Sequence, residues 1–264
     1  MRILITNDDG YQAKGIATLV KIMKRFGEVT VVAPKQHQSG MSMAVSLGYK
    51  PIAVKDLGEI EGVHWHYVDG TPASAAKYAV DVLMADCKPD LALSGINHGS
   101  NASTAMWYSG TIGAAREAAF AGVPSIGVSI DNMHRDADFS AVEQLLPAII
   151  ERLLASMPKE GTPLYNINFP DLPAEQIKGV KICTQGVECW VNEFVRPESL
   201  GLRAEVELEE GEEVFYMAGD VRPDPKNDEN TDNWANENAY IAITPQNLDN
   251  TDIAEYERLK KIWE

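Results

Sequence analysis

Asn7, Asp8, Asp9 and Gly10 follow directly on the apolar run ILIT at residues 3–6. Adjacent carboxylates repel each other, and neither is buried cheaply without a partner. A turn after a strand is the plain reading, since Asn, Asp and Gly all favour turns. The sharper one is a cation, whose charge would remove the repulsion. Two further polar loops follow apolar runs: PKQHQSG at 34–40 and SGINHGSN at 94–101. In open α/β sheets, ligands lie beyond the carboxyl ends of the parallel strands. One sheet edge would then gather Asp8, Asp9, Ser39 and Asn97, all of which offer oxygen. Such a set suits a hard divalent cation, Mg²⁺ or Mn²⁺.

A fourth loop supplies an anion site. SGTIGAAREAA at 109–119 is small and glycine-containing and opens a helix, with Ser109 as its N-cap. Free N–H groups at a helix N-terminus hold an anion without Lys or Arg, and the Ser109 and Thr111 hydroxyls add donors. A cation beside a phosphate site points to metal-assisted hydrolysis of a phosphate ester by an activated water. Asp8 or Asp9 is the candidate base.

The elements that must position these loops alternate over the first 155 residues. Strands are expected at 2–6, 28–33, 90–93 and 125–130. Helices are expected at 15–26, 72–85, 110–121 and 138–154, where apolar residues recur at helical spacing. The spacing predicts an α/β fold with a mostly parallel sheet flanked by helices. Residues 156–264 read as the remainder of the same domain, with a strand at 164–169 and β-rich hairpins over 178–218. A strand at 239–244 and a terminal helix at 253–262 complete the chain. The polar stretch 219–238 reads as a long loop, either a mobile surface loop or a flap over the site.

Composition narrows the partners. The chain has 264 residues and a formal net charge of −16, against binding to a nucleic-acid polymer. Cys87, Cys183 and Cys189 form neither a disulfide framework nor a zinc motif. No apolar run is long enough for a membrane span, and no secretory leader is evident, so a cytoplasmic soluble protein is expected. His64 and His66 share a strand face and read as solvated. His37 and His98, inside the polar loops, are each placed either to touch substrate or simply to pack.

These motifs together resemble the SurE family, the stationary-phase survival proteins that act as metal-dependent nucleotide phosphatases. The resemblance rests on ITNDDG (5–10), AP with QSG (33–40), GTPA (70–73), SGIN with GSN (94–101), SGTIGAA (109–115), NINFP (166–170) and AYIAITP (239–245). It implies a Rossmann-like core with a β-rich C-terminal extension and hydrolysis of nucleoside 5′- and 3′-monophosphates. Asp8, Asp9, Ser39 and Asn97 match the family's metal ligands, for one Mg²⁺ or Mn²⁺ per subunit. Asn101, Ser109, Gly110 and Thr111 match residues around its phosphate site. The resemblance also implies a homodimer or homotetramer built through C-terminal segments. Ser74, Ala75 and Gln246 depart from the family pattern, away from the proposed ligands. Two rivals fit the acidic pair: a phosphatase with an Asp nucleophile, and a receiver-like Mg²⁺-binding module without enzymatic activity.

Overall fold

In the computed structural model, residues 1–48, 50–203 and 206–264 are described. Strand β1 (Arg2–Thr6) is followed by helix α1 (Lys14–Met23) and strand β2 (Glu28–Pro34). Ile3 and Ile5 of β1 join one apolar cluster and Leu4 joins another. Successive side chains of a strand point to opposite faces, so β1 is buried on both. Helices α1 and α4 (Ser140–Ala155) contribute to the first cluster, and α2 (Pro72–Tyr78) and α3 (Gly110–Phe120) to the second. This is the layered arrangement that a continuous apolar strand such as ILI requires.

Strands β3 (Val54–Ile60) and β4 (Val63–Val68) form a hairpin, with β4 parallel to β2. Strands β5 (Leu91–His98), β6 (Ser125–Ile130) and β7 (Leu164–Phe169) continue the sheet on the other side of β1. Next come β8 (Gly179–Ile182), β9 (Glu188–Val191), β10 (Phe194–Val195), β11 (Tyr216–Met217) and β12 (Asp220–Pro223). The chain ends with α5 (Asp232–Glu237), β13 (Tyr240–Gln246) and α6 (Ile253–Trp263). The nine-stranded sheet runs β3-β4-β2-β1-β5-β6-β7-β13-β8. Only the β3–β4 and β7–β13 pairings are antiparallel. The last three strands of that order come from beyond residue 155, so the second part of the chain completes the same sheet. Strands β9 with β12 and β10 with β11 form two antiparallel pairs outside it.

Several expectations need correction. The third strand does not stop at Leu93 but runs through the SGIN motif to His98. Its pairing with β6 shifts register between Ser94 and Asn97. Gly95 permits this, with φ of +138° and room for no Cβ, which would lie 2.3 Å from the Val128 carbonyl oxygen. The second helix is α-helical only to Tyr78, then turns wider over Ala79–Leu83. The first helix ends at Met23 rather than at 26, where Phe26 N–H closes a turn onto the Met23 carbonyl. The stretch 219–238 is not one long loop. It contains β12 and α5, and Asp232, Asn233, Ala235 and Asn236 of α5 are buried.

Candidate active site

Asp8, Ser39, Asn97, Asn101 and Ser109 line one cavity of about 500 Å³. It lies beyond the carboxyl ends of β1, β2 and β5, with the N-terminus of α3 on its rim. Asp8 is 3% exposed. Its Oδ1 accepts the Thr111 hydroxyl at 2.5 Å. Burial pushes the Asp8 carboxyl up to about 6; the Thr111 hydrogen bond pulls it down, and the neighbouring Asp9 charge pushes it up again. Burial is the largest of these. Gly110 makes the close approach possible. A Cβ there would lie 2.9 Å from Asp8 Cβ and 3.0 Å from Asp8 Oδ2.

Thr111 is fully buried and does not line the cavity; its hydroxyl goes to Asp8. The sequence places it among phosphate ligands, whereas the structure makes it the partner of a carboxylate. Ser109 caps α3 by accepting the Ile112 N–H at 3.1 Å, and it still faces the cavity. Asn101 is fixed from behind by a polar ladder. Its backbone N–H donates to Asn168 Oδ1 at 2.8 Å, its carbonyl accepts from Asn166 Nδ2 at 2.8 Å, and its Nδ2 donates to Ser129 Oγ at 2.8 Å.

Asp9 lines an adjoining cavity that shares Ser39 and His98 with the first. Its side chain is 8% exposed, and His37, Lys14 and Arg135 line that cavity with it. His98 Nδ1 lies 3.0 Å from its Oδ2, and His37 Nδ1 lies 3.2 Å from its Oδ1. His37 Nε2 reaches Ser39 Oγ at 2.7 Å. With its proton on Nδ1, a neutral His37 presents a lone pair at Nε2. Ser39 then donates its hydrogen to that lone pair and keeps its own lone pairs for a cation. Asn97 donates Nδ2 to the Gly99 carbonyl at 2.7 Å, which leaves Oδ1 as its ligating atom. The residues therefore fit a hard cation by their donor chemistry: carboxylate, hydroxyl and amide oxygens, with lone pairs left free. Among the described residues no group of three or more His, Cys, Asp and Glu side chains forms a metal cluster. A cation here would draw on the Asn and Ser oxygens as much as on the two acids.

Sequence reasoning missed two features. It left His37 and His98 open, whereas His98 is hydrogen-bonded to Asp9 and His37 lies 3.2 Å from it. It also missed α5, whose Asn233, Asn236 and Glu237 form part of the cavity wall. The polar, Asn-rich composition of 229–238 looks like loop because most of its buried groups find their partners elsewhere in the chain. Asp232 Oδ1 accepts N–H groups of Ser103, Gly186 and Asn233, and Oδ2 accepts the Thr244 hydroxyl.

A mostly parallel sheet flanked by helices, with a cavity lined by oxygen donors and a helix N-terminus at its strand ends, defines an α/β protein whose candidate site lies where open sheets carry their ligands. Residues 3–192 match the model of the survival protein SurE family. The chain is 38% identical over 252 residues to the 5′-nucleotidase SurE of Bacteroides thetaiotaomicron, covering 94% of this chain and 91% of that protein. It is 39% identical over 254 residues to the 5′-nucleotidase SurE of Syntrophobacter fumaroxidans, covering 95% of each. The crystal structure of the SurE protein from Aquifex aeolicus superposes with a TM-score of 0.79 at 28% identity, covering 100% of both chains. The chain belongs to the SurE family.

Proposed function

We propose that this protein is a phosphomonoester hydrolase that releases phosphate from nucleoside 5′- and 3′-monophosphates. The observation that carries this reading is the convergence of Asp8, Ser39, Asn97, Asn101 and Ser109 on one cavity at the strand ends. The relatives named as 5′-nucleotidases support the 5′ activity. Asp8, Asp9, Ser39 and Asn97 would hold a divalent cation, Mg²⁺ or Mn²⁺. That cation would supply positive charge for the phosphoryl oxygens and lower the pKa of water. Asn101, Ser109 and the N–H groups at the start of α3 bind and orient the phosphoryl group. Gly110 leaves space for the Asp8 carboxylate, and Thr111 fixes it. Asp8 and Asp9 are the candidate bases for the attacking water. Of the two, Asp9 is held by its hydrogen bond with His98 and has His37 beside its other oxygen.

No helix among the described residues is long and apolar enough to cross a membrane. Helix α6 buries none of its residues and exposes Ile253, Tyr256, Leu259, Ile262 and Trp263. That apolar face supports assembly as a homodimer or homotetramer, and the cytoplasm is proposed as its place of action. Light scattering on the purified chain tests the assembly.

Phosphate release from a panel of 5′- and 3′-nucleoside monophosphates, with Mg²⁺, Mn²⁺ or chelator, tests the function. Cation-dependent release is expected. A folded protein that releases none with either cation would overturn the reading.

A further inference from the structure

The outer half of the active-site cavity is built by elements that supply none of the proposed cation ligands. Glu188 and Trp190 come from β9, Val221 from β12, and Asn233 and Glu237 from α5. Trp190 and Val221 are direct cross-strand partners, so they stand side by side on one face. Glu188 is anchored at two points. Its backbone N–H donates to Thr104 Oγ1 at 2.9 Å, and its Oε1 accepts Asn233 Nδ2 at 3.0 Å. Asn233 is itself 7% exposed, so the carboxylate is held by a buried amide. The Ser103 hydroxyl also lies within reach of this carboxylate, which with two lone pairs on each oxygen still has acceptor capacity to spare.

The charge of this half is one-sided. Among the described residues, Asp131, Glu188 and Glu237 line it, and neither Lys nor Arg does. The cationic side chains near the site, Lys14 and Arg135, line the adjoining cavity on the Asp9 side, which shares Ser39, His98 and Met133 with the first, and not the half walled by β9, β12 and α5. A second phosphate reaching into the outer half would meet three carboxylates and no counter-charge. A neutral, flat group rich in N–H donors would meet an aromatic plate and free acceptors.

Building on the nucleotidase reading above, we infer that this outer half is the base subsite, that Trp190 stacks on the base, and that Glu188 selects guanine. Guanine presents two adjacent donors, N1–H and the 2-amino group, to which a carboxylate accepts in parallel. Adenine presents a donor beside an acceptor, and its N1 lone pair would face a carboxylate lone pair. Uracil flanks its one imino donor with two acceptors. A site that leaves such groups unpaired discriminates strongly against the wrong ligand. The same carboxylates repel a nucleoside diphosphate whose second phosphate extends along the cavity.

Two readouts separate this inference from the nucleotidase reading. The first is kcat/KM for GMP, AMP, UMP and GDP. GMP is expected to lead AMP and UMP by about tenfold to a hundredfold, on the scale of one two-point hydrogen-bond recognition, and to lead GDP by at least as much. Glu188→Gln turns one acceptor into a donor and matches the adenine edge. It is expected to erase or invert the GMP preference and to shrink the GDP penalty. The second is guanosine binding followed by tryptophan fluorescence in chelator, which needs no turnover. Quenching by guanosine at lower concentration than by adenosine is expected and is lost in Trp190→Phe with its fluorophore, while calorimetry is expected to show guanosine binding retained in Trp190→Phe through the stacked ring and weakened in Trp190→Ala. Equal kcat/KM across the bases, or a GMP preference unchanged in Glu188→Gln, would overturn the inference while leaving the nucleotidase reading intact. Absence of release from every monophosphate, with guanosine still quenching, would overturn the nucleotidase reading alone.

Discussion

Thr111 donates its hydroxyl hydrogen to Asp8 Oδ1 at 2.5 Å, across 103 residues of sequence and inside the protein. The contact ties the start of α3 to the end of β1. It thereby ties the phosphate-facing helix terminus to the carboxylate proposed to hold the cation. A hydrogen bond to a charged group contributes about 1.5–3 kcal/mol. Thr111→Ala is expected to lower stability to urea by about that amount and kcat/KM by about tenfold to a hundredfold. Thr111→Ser, which keeps the hydroxyl, should recover most of both. A variant Ala protein with unchanged kcat/KM would mean that Asp8 needs no such support.

Burial raises the Asp8 carboxyl from 3.8 to about 6, so without a cation its charge costs stability. Between those two pH values the folded chain holds a proton that the unfolded chain has released. Stability therefore falls as pH rises through that window. A shift of that size corresponds to about 3 kcal/mol at pH 7.5. Asp8→Asn removes the charge and keeps the oxygen that accepts from Thr111. In chelator at pH 7.5 it is expected to be more stable than the parent by up to about 3 kcal/mol, with the difference shrinking toward zero near pH 4. The same variant should lose turnover. Urea titrations at the two pH values decide it; a variant less stable at pH 7.5 would contradict the assigned cost.

What could be read from the sequence follows from how local each signal is. Asp8, Ser39 and Asn97 were legible because each stands in a polar loop or motif directly after an apolar strand, and parallel strands bring such ends together. Ser109 was legible as a cap from its own helix. The partners of Asp9 were not, since His37 and His98 meet it only through the packing of β1, β2 and β5. The direction of Thr111 depends on a helix register against Asp8 that no periodicity encodes. Helix α5 was invisible for a different reason. Apart from Ala235 its buried residues are Asp and Asn, held by hydrogen bonds to other parts of the chain rather than by an apolar stripe.

Gly110 offers a steric test of the site. A Cβ would sit 2.9 Å from Asp8 Cβ, closer than side-chain carbons approach, so Asp8 must move. Ala also favours helix over Gly by about 1 kcal/mol, which offsets part of the crowding. Gly110→Ala is expected to remain folded, with a thermal midpoint near the parent's. Its kcat/KM should fall on the order of a hundredfold, the usual scale for displacing a reacting group by a fraction of its reach. Full activity in this variant would show that Asp8 tolerates displacement and does not set the geometry.

Asp232 links the cavity's two halves. Its Oδ1 accepts the N–H of Ser103 at 3.0 Å, of Gly186 at 2.8 Å and of Asn233 at 2.9 Å. Ser103 lies in the segment leading to Ser109, and Gly186 lies at the root of β9, two residues before Glu188. Burial raises this carboxyl above its ordinary value although the three N–H groups pull it down. Asp232→Ala strands those donors, each costing about 1–3 kcal/mol when buried and unpaired, so a loss of about 3 kcal/mol or more is expected. Asp232→Asn keeps one acceptor oxygen and should cost less. In the Asn variant the root of β9 is held more loosely, so KM for nucleotide should rise further than kcat falls. Steady-state kinetics beside urea denaturation check both points. A loss confined to kcat would place Asp232 with the reacting groups, and an Ala variant as stable as the parent would remove it from the framework altogether.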